Sequence, residues 1–220
     1  EITYGDWSSD VCSSDLLFAR RQLRVGYVLT AGAGLGEASL VFLPLLAVAA
    51  LGVDPATASF LLMPVVLAMS VGSPTAGRLL DRFGSRSVIL AGVAVLTAGM
   101  FLLSRTGTVL GWYIAAGVLI GLGLSALLGA PIRYVTLNET TPAERSAGQG
   151  MVNIFTSTGQ LLGAAAVGAV AASSTVAAYL SAYLLIAVVG VVLFVIALLL
   201  KKQSEEKQPA SAAVEANDHA

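Results

Sequence analysis

The chain has 220 residues, of which 56% are hydrophobic and only 11% charged, with a mean hydropathy of +0.84 and a formal charge of −1. Soluble domains carry about 25% charged residues, so this composition excludes a water-soluble globular domain and points to a membrane protein built from apolar runs of about 20 residues. The single Cys12, with no Cys or His beside it, excludes a disulfide framework and a zinc site.

In chain order, the first feature is the polar stretch DWSSDVCSSDL at residues 6–16. It has an acidic start and no apolar middle, so it is not a secretory signal. Residue for residue it matches the translation of a sequencing-library adapter, and residues 1–16 are read as an adapter-derived, non-native segment. Setting aside Glu1, Asp6, Asp10 and Asp15 leaves nine acids against twelve bases, a charge of +3, and no cysteine. The native sequence is then expected to begin near Leu17, at a truncation.

Six apolar runs follow, at about 25–51, 56–76, 88–104, 109–130, 148–172 and 176–200. Each is long enough, at 1.5 Å per helical residue, to cross a hydrocarbon core of about 30 Å. None alternates apolar with polar, as a barrel strand does. The predicted fold is an all-α membrane protein of six transmembrane helices over 17–200, with a disordered tail at 201–220 that holds His219, the only histidine.

Eleven of the twelve Lys and Arg fall on one set of joints and only Arg105 on the other. The positive-inside bias places both ends, and the joints after the second and fourth runs, in the cytoplasm of a multi-pass cell-membrane protein. Trp112, Tyr179 and Tyr183 are expected at the outer interface, and Tyr27 and Tyr134 at the inner one.

The joint after the second run reads GRLLDRFGSRSVIL, residues 77–90. Its Gly77, Asp81, Arg82, Gly84 and Arg86 resemble the signature loop of the major facilitator superfamily, with Ser85 where a basic residue is common. Gly77 would let two helix ends approach, Gly84 would allow the tight turn, and Asp81 would suit the N-terminus of the next helix. The alternative is a merely basic turn that sets topology. After the fourth run, TPAERSAGQG (141–150) resembles the second cytoplasmic loop of that family through Pro142, Glu144 and Arg145.

This resemblance covers 17–200. It implies one six-helix half-bundle, the C-terminal half of a transporter whose N-terminal half is a missing partner, most similar to drug-and-proton antiporters of the multidrug efflux branch. It also implies a charge network around Asp81 that acts as a conformational switch, with Arg133 as the nearest candidate partner outside the loop. The expected partners are a small-molecule substrate, protons and the lipid bilayer, with no nucleic acid. The rival reading is a self-contained six-span channel or structural subunit.

Within the spans, Glu37 is the only acid near mid-membrane. An uncompensated charge there costs at least about 2.5 kcal/mol, so it is expected to face a cavity or a partner. It could hold a proton, attract a cation, or make a structural hydrogen bond, with Ala33 and Gly34 leaving room around it. In the fifth run, Gln149, Asn153, Thr156 and Gln160 recur at steps of four, three and four on one helix face. That stripe lines a cavity or ties helices together. The sixth run, almost purely aliphatic, is expected to face lipid. GAGLGE at 32–37 lacks the preceding strand of a dinucleotide loop, and Gly117 and Gly121 suit close packing. No metal-ligand or nucleophile set is present, so neither an enzyme nor a cofactor is expected.

Overall fold

The structure is a computed structural model that describes residues 20–141, 144–172 and 175–200. The adapter-derived segment and the polar tail read from the sequence lie outside the described residues. What is described is helical throughout: α1 (Arg21–Ala38), a 3-10 turn (Ser39–Phe42), α2 (Leu43–Leu51), α3 (Pro55–Phe60), α4 (Met63–Thr106), α5 (Leu110–Leu128), α6 (Ala130–Glu139), α7 (Arg145–Ala171) and α8 (Val176–Ala197). Helix is what apolar runs of this length must form in lipid, where each backbone N–H and C=O has to find its partner within the segment.

The punctuation follows from identifiable residues. Gly52 caps α2 in the left-handed region at φ 66°. Asp54 then opens α3, its carboxylate accepting from the Thr57 N–H at 3.0 Å and from the Thr57 hydroxyl at 2.6 Å, with Pro55 in the first turn. These bonds hold the exposed Asp54 carboxyl below the usual range.

The 44 residues of α4 are not one rod. Gly84 sits at φ 80° and ψ 165°, a conformation essentially confined to glycine. Beyond it the chain folds back. A side chain on Gly72 would strike Ser125, and one on Gly92 would strike its neighbour Ala126, although residues 72 and 92 would lie about 30 Å apart on a straight helix. The arms 63–83 and 85–106 therefore run antiparallel and hold α5 between them. Gly121 abuts the Val65 carbonyl and Gly123 the Leu96 backbone, so Gly117 and Gly121 serve packing within the chain.

By length and apolarity four stretches among the described residues are able to cross a membrane, against the six expected: Arg21–Leu51, Pro55–Thr106, Leu110–Glu139 and Val176–Ala197. The difference has two sources. The second and third runs are merged across Gly84, and α7 carries the polar stripe from Gln149 to Gln160. Helices also extend beyond several apolar runs, and α6 occupies what the sequence suggested was a joint.

α1 packs on α7, while α8 packs on the 85–106 arm, where Gly190 meets Thr97. α8 is two-faced rather than lipid-facing all round: Ala182, Tyr183, Ile186 and Ala187 are buried, whereas Leu185, Val188, Val192 and Val195 are exposed. The interfacial placement of the tyrosines also needs correction. Trp112 and Tyr134 are 52% and 41% exposed, but Tyr27, Tyr179 and Tyr183 are buried in the bundle. Tyr27 stacks on Phe155 at 5.2 Å.

Tyr183 is drawn inward by the broken first helix. Its hydroxyl donates to the Ser39 carbonyl at 3.0 Å, and the Tyr113 hydroxyl donates to the Leu43 carbonyl at 2.9 Å. The first carbonyl opens the 3-10 turn and the second directly follows it, so two phenols from α5 and α8 fasten it. Tyr183→Phe is expected to lower stability by about 1 kcal/mol, within the range of such bonds in water and in membranes; unfolding in detergent measures it.

Candidate functional site

α1, the α5–α6 junction and α7 enclose a polar cavity of about 250 Å3. Glu37 and Thr30 enter it from α1; Asn153, Thr156 and Gln160 enter from α7; Gly129, Ile132 and Arg133 close it at the junction. The Gln160 amide donates to Glu37 Oε2 at 2.7 Å. Glu37 is half-buried, and among the described residues its carboxylate meets this one donor and the cavity itself. The hydroxyls of Thr30 and Thr156 donate to carbonyls of their own helices, Gly26 and Val152, each at 2.8 Å. Their protons are thus occupied, and their lone pairs remain as acceptors.

Glycines bring these two helices together. A Cβ on Gly34 would strike the Thr156 carbonyl, one on Gly159 the Ala31 carbonyl and one on Gly163 the Leu35 backbone. Gly34 therefore does not leave room around Glu37, as the sequence suggested. It lets α7 come close enough for Gln160 to reach the carboxylate.

Three of the four residues in the α7 stripe reach the cavity. Gln149 does not: it lies at the start of the helix and donates to the Arg133 carbonyl at 3.3 Å. Thr30 was missed by sequence reasoning. Its place two turns before Glu37 on the same face was the available signal. The break at Gly129, which turns α5 into α6 and brings Arg133 to the cavity, had no counterpart in the apolar pattern.

The signature-loop residues are scattered. A side chain on Gly77 would meet nothing within 4 Å, so the close approach expected there is made at Gly72 instead. Asp81 is exposed, and among the described residues it forms no ion pair with Arg133 or any other base. The reason is placement: Arg133 lines the cavity from α6, while Asp81 is exposed on the 63–83 arm. Arg82 lies over the Phe83 ring at 5.4 Å, and Arg86 donates to the Leu198 carbonyl at 2.9 Å.

In the second loop, Pro142 lies outside the described residues. Glu144 accepts from the Thr141 N–H at 2.9 Å and pairs with Arg20 at 3.4 Å, and Arg145 is exposed at the start of α7. The hydrogen bonds from Thr141, backbone then side chain, with a smaller share from Arg20, hold the Glu144 carboxyl below its usual range.

Long apolar helices packed through glycines around a small polar cavity define a multi-pass membrane protein with an internal polar site. The chain matches the Major Facilitator Superfamily over residues 26–219 and belongs to that family. It is a transporter-family protein and not an enzyme. It is 32% identical over 156 residues to a triacylglyceride transporter of Mycolicibacterium smegmatis, a match covering 64% of this chain and 27% of that protein. It is 33% identical over 124 residues to the multidrug resistance protein Stp of Mycobacterium tuberculosis, covering 54% of this chain and 22% of that one. The chain thus matches about a quarter of the length of these relatives.

Proposed function

We propose that the chain is the C-terminal, six-crossing half of a major facilitator transporter that drives small, largely apolar molecules out of the cell in exchange for protons. The two arms of α4 count as separate crossings, and α7, the fifth in chain order, completes the six with its polar stripe turned to the cavity. Both ends lie in the cytoplasm of the cell membrane, as the charge bias favours. The N-terminal half is the partner against which this half rocks, giving alternating access to a midplane site.

The observation that carries the proposal is the Glu37 carboxylate, held by the Gln160 amide in a polar cavity between apolar helices. A carboxyl placed there takes up or releases one proton and changes the charge of the cavity as it does so. Such a change of charge is what coupling requires, because a ligand shifts a conformational equilibrium only by interacting differently with the two states. The relatives named for triacylglyceride and for multidrug resistance support an apolar cargo.

The test is transport by the full-length protein that contains this half, reconstituted in proteoliposomes with a lipophilic fluorescent dye inside. An imposed pH gradient is expected to accelerate dye movement, and collapsing it with a protonophore is expected to remove the acceleration. Dye flux indifferent to the gradient would count against proton coupling, and ion conductance without dye transport would favour a channel.

A further inference from the structure

Between the 85–106 arm of α4 and α8 lies an open groove of about 490 Å3, walled by Ala94, Ala98, Phe101, Leu184, Val188 and Phe194. The one hydroxyl in its wall, that of Thr97, donates to the Val93 carbonyl at 2.7 Å. The groove falls within the usual range of ligand sites, about 300–1,000 Å3, yet it lacks the convergent polar groups that orient a solute.

One end of the groove is marked by charge. Arg86 donates through Nη2 to the Leu198 carbonyl, at the end where the Gly84 turn meets the last turn of α8. Arg86, Leu90, Ala94 and Ala98 follow at steps of four on one face of the arm, and Phe194 and Leu198 do so on α8. The guanidinium therefore caps the groove about 6 Å beyond Phe194. A guanidinium has five N–H donors in a fixed fork that suits phosphate, and the Leu198 carbonyl engages one of its nitrogens.

We propose that this groove is a site for one anionic phospholipid, with an acyl chain lying along the apolar wall and the phosphate held by Arg86. An apolar trough that ends in a phosphate-binding fork matches a lipid's two chemistries at their natural separation, with the glycerol bridging them. The site requires only that these helices span a bilayer, and it is separate from the Glu37 cavity.

Native mass spectrometry of the full-length protein tests this, in detergent containing equal amounts of phosphatidylglycerol and phosphatidylcholine with identical chains. The unmodified protein is expected to retain one more phosphatidylglycerol than Ala98→Trp, whose indole fills the groove from an exposed position and should leave thermal unfolding unchanged. Arg86→Ala is expected to reduce the preference for phosphatidylglycerol at least ten-fold while still admitting a chain. Equal retention of both lipids by the unmodified protein, or no loss in Ala98→Trp, overturns the proposal. So does a change of oligomeric mass in Ala98→Trp, which would assign the groove to a second copy of the chain. Should Arg86→Ala fail to fold, the first two comparisons still decide.

Discussion

Glu37→Gln in the full-length protein is expected to bring gradient-driven flux down to that of protein-free liposomes while leaving expression and thermal stability near those of the parent. The replacement is nearly isosteric, and its side-chain carbonyl can still accept from the Gln160 amide that now reaches Glu37 Oε2 at 2.7 Å. The contact between α1 and α7 is thus kept. What disappears is the proton-accepting oxygen and the charge. Downhill exchange of dye, which needs no proton, should persist, and that separates lost coupling from lost folding. Flux unchanged at every pH between 5 and 8 would remove Glu37 from the mechanism.

Gly159→Val is expected to be the most damaging substitution on α7. A Cβ at this position meets the Ala31 carbonyl, an atom of the α1 backbone that cannot rotate aside. Overpacking of this kind typically costs about 1–3 kcal/mol, and the two helices can relieve it only by moving apart. Separation would stretch the neighbouring bond between Gln160 and Glu37, so transport should fall together with thermal stability. Gly150→Val, on the same helix with nothing within 4 Å of its Cβ, supplies the control and should change neither. Equal melting temperatures for the two variants would mean that the glycine contact does not set the helix crossing.

Much of this architecture was legible in the sequence because lipid imposes a simple rule: apolar runs become helices, and polar residues within them have to face something polar. Glu37 and the series Asn153, Thr156 and Gln160 stood out for that reason, and the structure gathers all four around one cavity. Gly84 was legible as a turn because it stands among charged residues between two apolar runs. What could not be read depends on distant partners. Nothing local distinguishes a tyrosine at an interface from Tyr183, which is buried and whose hydroxyl donates to a carbonyl 144 residues away. Nor does a loop motif reveal which carbonyl its arginine will find, and Arg86 finds that of Leu198. Gly77 and Gly72 are likewise indistinguishable until α5 is in place.

A turn one residue long has a consequence for how the bundle assembles. The arms of α4 meet at Gly84, and α5 begins only a few residues after the second arm ends, so these three helices are neighbours in the chain as well as in space. They can pair as they emerge during synthesis, with almost no loop entropy to overcome. The union of α1 with α7 is different, since Glu37 and Gln160 are 123 residues apart. That contact has to wait until nearly the whole chain exists. The polar cavity is therefore a part of the molecule that depends on a distant closure, and a ribosome must have delivered α7 before the carboxylate of α1 has its donor.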